Sequence, residues 1–230
     1  MTTIPGNLQH VRARIATACQ RAGRGVEEVT LLAVSKTFGA DAVRAAAAAG
    51  QRAFGENYIQ EGVEKIAALR DLGLMWHCIG PIQSNKTRLV AEHFDWGHTV
   101  DRLKIAERLS AQRPADRPPL NVCIQVNIDG GANKSGVAPG EALALARAVA
   151  ALPQLKLRGL MSIPEIAPDF EAARAVHASA RALFDQLNAD GLGLDTLSMG
   201  MSDDLEAAIA AGSTMVRIGT AIFGSRAPKP

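Results

Sequence analysis

Lysine 36 closes a short apolar run, Thr30-Leu31-Leu32-Ala33-Val34-Ser35-Lys36, and is followed by Thr37-Phe38-Gly39 and an alanine-rich segment. That run reads as a buried parallel strand feeding a βα loop. The carboxyl end of such a strand is where α/β enzymes place reactive groups. For a lone lysine the alternative is a packed stem with the amine in water. Near the other end of the chain, Arg217 sits inside the apolar run Thr214-Met215-Val216-Arg217-Ile218, with Gly219-Thr220 directly after it. A guanidinium in such a strand must pair with a neighbouring carboxylate or face a ligand. The stretch Ser198-Met199-Gly200-Met201-Ser202-Asp203-Asp204-Leu205-Glu206 joins another short strand to a helix. Gly200 there would let the backbone approach a ligand closely, and the helix start offers amides suited to an anion. Plain capping accounts for Ser202 and Asp203 as well, because Asp203 and Glu206 have capping-box spacing.

The elements that must position these residues alternate. An amphipathic helix over 5–22, with Leu8, Val11 and Ile15 on one face, is closed by Gly23 and Gly25. Strands are predicted at 30–36, 52–55, 74–79, 96–100, 120–127, 156–163, 196–199 and 214–218. Helices fall between them, with Asp101 expected to cap the one after the fourth strand. The segment 128–138, with Gly130-Gly131 and Lys134-Ser135-Gly136, reads as a mobile loop, and 226–230 as a frayed tail. Strict β/α alternation implies parallel strands with right-handed crossovers. Eight such units close most naturally into a (β/α)8 TIM-type barrel with an extra N-terminal helix, one domain over 1–230. An open doubly wound sheet permits the same alternation, but no strand carries a dinucleotide-type glycine fingerprint. In a closed barrel the first and last strands are neighbours, so Lys36, Arg217 and Gly219-Thr220 would share one rim.

Composition excludes several classes. The net charge of +2 comes from well-mixed charges, which argues against a nucleic-acid surface. No apolar run reaches the roughly 20 residues of a membrane span, and residues 1–20 lack a signal-peptide core, so a cytoplasmic location is expected. Cys19, Cys78 and Cys123 are widely spaced without a Cys-x-x-Cys, and His93, His98 and His177 show no paired ligand spacing, so no metal site is expected.

An amine, a fixed cation and a donor-rich turn at one mouth suit a phosphorylated aldehyde held as a Schiff base. Pyridoxal 5′-phosphate (PLP) meets that description. The runs Ala33-Val34-Ser35-Lys36, Phe54-Gly55-Glu56-Asn57-Tyr58, His77-Cys78-Ile79-Gly80-Pro81-Ile82-Gln83-Ser84-Asn85-Lys86, Leu160-Met161-Ser162 and Ser198–Asp204 occur in that order. With Gly212-Ser213-Thr214-Met215-Val216-Arg217-Ile218-Gly219-Thr220-Ala221-Ile222-Phe223-Gly224, they resemble the pyridoxal phosphate homeostasis protein family over nearly the whole chain. Pro81-Ile82 stands where that family more often has a leucine-containing turn. The resemblance implies a monomeric barrel related to the N-terminal domain of alanine racemase, with PLP on Lys36. It further implies phosphate on Ser202, Gly219 and Thr220, the pyridine nitrogen at Arg217, and Asn57 and Met199 lining the ring.

An always-protonated arginine keeps the ring nitrogen unprotonated, which weakens the ring as an electron sink. Racemization also needs a second base across from the lysine. The racemase relatives take it from a separate C-terminal domain, whereas the only tyrosine here is Tyr58, expected to pack beside the second strand. The expectation is therefore a non-catalytic PLP-binding protein acting in intracellular vitamin B6 homeostasis, and indirectly on amino-acid pools. Apo PLP-dependent enzymes are the expected recipients. A racemase using Lys36 and Tyr58 and a cofactor-free Schiff-base aldolase are the alternatives.

Overall fold

The computed structural model describes residues 3–131 and 135–225. Lys134 and the expected frayed tail at 226–230 lie outside them. Helix α1 (Ile4–Arg21) precedes strand β1 (Thr30–Val34). There follow α2 (Ala40–Ala48), β2 (Ala53–Glu56), α3 (Ile59–Ala68), β3 (Met75–Cys78), α4 (Thr87–His93), β4 (Trp96–Val100), α5 (Leu103–Gln112) and β5 (Leu120–Gln125). The second half holds α6 (Ala142–Ala150), β6 (Leu155–Met161), α7 (Phe170–Ala189), β7 (Thr196–Ser198), α8 (Leu205–Ala210), β8 (Met215–Ile218) and α9 (Thr220–Phe223). The strands form a closed parallel barrel in sequence order, β8 pairing with β1. The (β/α)8 expectation is met and the open sheet is not.

Alternation along the strands separates two packing regions. Ala33, Trp76, Cys78, Val122, Val216 and Ile218 point outward into the main apolar layer beneath the helices. Leu32, Val34, Ile79 and Met215 form a small cluster of their own, as do Trp96, Cys123 and Met161. The parity of these two sets assigns them to the barrel interior, which they share with the polar side chains His77, His98, Ser198 and Arg217, all buried. The three cysteines are buried and free, and burial pushes the Cys78 and Cys123 thiols up to about 12.

Local chemistry shifted several expected boundaries. Strand β1 ends at Val34 rather than at residue 36, because Ser35 accepts from Phe38 N in a turn and Thr37 adopts a left-handed φ of 70°. Asp101 does not cap α5: the capping position is Arg102, with no side-chain cap, and Asp101 forms an ion pair with it at 3.3 Å. The expected Asp203–Glu206 box is also absent. The cap position of α8 is Asp204, whose Oδ1 accepts from Met201 N at 2.6 Å, while Glu206 pairs with Arg14 at 2.8 Å. His98 lies within β4.

Candidate active-site cavity at the barrel mouth

Register brings the two ends of the chain together. Ala33 pairs with Ile218 across β1 and β8, so residue 36 lies level with the turn that follows β8. A cavity of about 220 Å³ opens at this carboxyl-end rim, lined by Lys36, Asn57, Ser202, Arg217, Gly219 and Thr220 with Val34, Ile79, Ile163, Met201 and Asp203. Drug-sized pockets occupy about 300–1,000 Å³, so this space suits a compact ring ligand. A neighbouring cavity of about 310 Å³ shares Met201 and Asp203 with it. Its lining adds Glu165, Asp169, Asp204 and Glu206 and contains no basic residue, so only the smaller cavity suits an anion.

Arg217 points inward and is 5 % exposed. Its Nη1 donates to Ser198 Oγ and its Nη2 to the Ser162 carbonyl, both at 2.8 Å. The partners are a hydroxyl and a carbonyl rather than the carboxylate that a structural salt bridge would supply. Burial lowers its pKa to about 10, well above neutrality, so the group remains a cation. Ser198 Oγ lies 3.0 Å from His98 Nδ1, and His98 Nε2 lies 2.9 Å from His77 Nδ1. Burial holds both imidazoles neutral, His77 down to about 3 and His98 well below its ordinary value. The best-satisfied arrangement has Ser198 donating to His98, which in turn donates to His77, leaving the His77 Nε2–H buried without a partner. His77 stacks on Trp96 with ring centroids 5.0 Å apart.

The other walls are held by packing. A Cβ at position 80 would lie 2.0 Å from the Asn57 carbonyl, so Gly80 fixes the backbone that presents Asn57. Asn57 Oδ1 is buried with no hydrogen-bond partner among the described residues, an acceptor left open for a ligand. Gly219 brings its backbone against β1, where a Cβ would stand 3.2 Å from Val34 O. Helix α1 steadies the Ser202 turn: Arg14 Nη2 donates to the Ser202 carbonyl at 3.0 Å while its guanidinium grips Glu206. From α7, His177 Nε2 meets Asp204 Oδ2 at 2.8 Å. Burial alone would raise the Asp204 carboxyl, but His177 and the Met201 amide together hold it low.

Of the seven anticipated ligand residues, Lys36, Asn57, Ser202, Arg217, Gly219 and Thr220 line one cavity. Met199 does not. It neighbours the inward Ser198 and therefore faces outward, fully buried in one apolar cluster with Leu197, Ala208 and Phe184. Met201 takes the place at the cavity wall. Gly200 is required for its φ of 96° and because a Cβ would lie 2.5 Å from Ala208 Cβ. Tyr58 is 54 % exposed and is not among the cavity residues. The residue pattern does not disclose Ser162 and Ser198 as the partners of Arg217, or His98 and His77 as the chain that continues from Ser198. Strand parity from Arg217 and Ser198 was the one available signal.

Residues 6–227 match the family model for the alanine racemase N-terminal domain. The chain is 63 % identical over 226 residues to a pyridoxal phosphate homeostasis protein from Pseudomonas aeruginosa, covering 98 % of this chain and 97 % of that one. It is 59 % identical over 233 residues to the protein of the same name from Escherichia coli K12, covering 98 % of each. This chain belongs to the pyridoxal phosphate homeostasis protein family. Among solved structures, PipY of Synechococcus elongatus without PLP matches with a TM-score of 0.85 at 39 % identity, covering 96 % of this chain and all of that one. The same protein with PLP bound matches at 0.80 and 39 % identity, covering 91 % and 100 %. An alanine racemase of Clostridium difficile shares the fold at 16 % identity and a TM-score of 0.68, covering 95 % of this chain and 57 % of that one. PipY thus holds PLP within this fold. The cavity fits it in kind: an amine, a buried cation, an unpartnered amide oxygen and hydroxyl and backbone donors. No helix among the described residues is long and apolar enough to cross a membrane.

Proposed function

We propose that this protein holds PLP covalently on Lys36 and buffers or delivers it within the cytoplasm, without turnover of its own, as a monomer serving apo PLP-dependent enzymes. The single observation that carries this reading is the convergence of Lys36, Arg217 and the Gly219-Thr220 turn on one small cavity. Ser202, Gly219 and Thr220 would hold the phosphate, since the first amides of α9 have no intrahelical acceptor and Ser202 adds a hydroxyl. Asp203 also stands at this rim, but it is exposed, and solvent screens its repulsion. Arg217 would face the ring nitrogen and keep it free of a proton, and Asn57 would offer its open acceptor to the ring.

When bound, PLP supplies an aldehyde for the amine and an electron-withdrawing ring. Beside a fixed guanidinium the ring is a weak sink, and the exposed Tyr58 supports the absence of a second base. The test is colour and covalency. The wild type with added PLP is expected to turn yellow, and borohydride should bleach it with label on residue 36. Lys36→Ala should stay colourless with unchanged circular dichroism, because the change falls beyond the end of β1. A wild type that remains colourless refutes the proposal and favours a cofactor-free aldolase. Solvent deuterium entering Cα of alanine at turnover rates, and vanishing in Tyr58→Phe, favours a racemase instead.

A further inference from the structure

A second lysine lies directly behind Lys36. Lys65 of α3 is 6 % exposed, and its ammonium reaches three acceptors. These are the Ser35 carbonyl at 2.7 Å, Glu56 Oε1 at 2.8 Å and Glu61 Oε1 at 2.6 Å. Each acceptor holds part of the Lys36 loop. Ser35 is gripped directly through its carbonyl, and its hydroxyl donates to Glu56 Oε1 at 2.5 Å. Glu61 Oε1 accepts from Thr37 N at 2.7 Å. The residues on both sides of Lys36 are thus tied to one buried ion cluster, and Thr37 is the one described non-glycine residue with positive φ. A β-branched residue stays in that region only when its surroundings enforce it. Glu56 sits at the end of β2 and is fully buried, with Oε2 lacking a partner, so the cluster is an expensive arrangement for stability alone.

We propose that Lys65, Glu56 and Glu61 form a clamp that positions Lys36 for covalent capture of an aldehyde, separately from the groups that hold phosphate and ring. The proposal rests on Lys36 being the attachment point. In the step it serves, the neutral Lys36 amine adds to the aldehyde carbon, a C=N bond replaces C=O, one water leaves, and no electrons are gained or lost. The clamp also separates the two lysines: all three N–H groups of Lys65 are engaged with acceptors, which leaves the reaction to Lys36.

The test compares PLP with pyridoxine 5′-phosphate, which has the same ring and phosphate but an alcohol in place of the aldehyde. Affinity for pyridoxine 5′-phosphate is read by calorimetry, and the rate of attachment of PLP by absorbance and by borohydride trapping with peptide mapping. In Lys65→Met the affinity should stay within about twofold of wild type while the attachment rate falls at least tenfold. Adding Thr37→Gly should recover at least threefold of that rate, because glycine adopts positive φ without enforcement. Glu61→Ala alters a partly exposed side chain, tolerates folding better, and should show the same split in smaller measure. An unchanged attachment rate in either single variant, a parallel loss of affinity for both ligands, or no recovery with Thr37→Gly would overturn the clamp. Failure of the wild type itself to become labelled on residue 36 would instead refute the functional reading beneath it.

Discussion

Arg217 carries the sharpest consequence of any single side chain. It is a buried cation whose guanidinium donates to neutral groups, the Ser198 hydroxyl and the Ser162 carbonyl. Removing it relieves a desolvated charge but strips two acceptors of their donor, effects of opposite sign and each about 1–3 kcal/mol. Arg217→Met should therefore leave the stability of the ligand-free protein within about 2 kcal/mol of wild type. Loss of a charge-assisted contact costs about 1.5–3 kcal/mol, so affinity for pyridoxine 5′-phosphate should fall roughly tenfold to a hundredfold. Urea unfolding and calorimetry on the same variant check both halves. Undiminished affinity would mean that the guanidinium only braces β7 against β8.

The elements flanking the barrel hold the loops in place as well as covering apolar surface. Helix α1 buries Leu8, Val11, Ile15, Ala18 and Cys19 against the barrel layer, and this anchoring lets Arg14 reach the Ser202 carbonyl and Glu206 together. Both partners of that ion pair are partly exposed, which limits its worth for stability. Its bidentate geometry nevertheless orders the turn. Arg14→Ala should lower global stability by no more than about 1 kcal/mol while weakening retention of phosphorylated ligand several-fold, more so at low salt. Equilibrium dialysis at two ionic strengths measures it, and equal retention in both proteins would count against a role for α1 at the rim. Gly80 acts similarly from the β3–α4 loop, since any Cβ there collides with the Asn57 backbone.

Across the whole barrel, the buried histidine pair ties stability to pH. His77 and His98 have folded pKa values depressed below the ordinary 6.5, by burial first and then by neighbouring cations, and in the case of His98 by His77. The unfolded chain therefore binds more protons than the native state once pH falls below about 6.5, and stability rises with pH in that window. Between pH 6.5 and about 4 the unfolding free energy should fall on acidification by up to about 1.4 kcal/mol per pH unit for each histidine. His77→Phe should remove one of these contributions. A flat urea-midpoint profile between pH 7 and 5 would show that the pair is not held neutral inside the barrel.

Strand run, turn and cap signals are local, and alternating β and α segments with short loops leave few ways to close a sheet. The order of elements, the barrel and the gathering of Lys36, Arg217, Gly219 and Thr220 were accordingly legible from residue order alone. Which way a side chain points is set by parity within a closed interior, and that is why Met199 turned outward while Ser198 turned to Arg217. The cap position of α8 falls on Asp204, which also meets His177, a partner more than 20 residues away in sequence that no local cap signal reveals. The Lys65 cluster shows the same division most clearly. Glu61 and Lys65 look like an ordinary surface pair four residues apart on a helix. Folding against β1 and β2 buries Lys65 with Glu56 and places the pair beside Lys36, a juxtaposition made by long-range packing that no local pattern encodes.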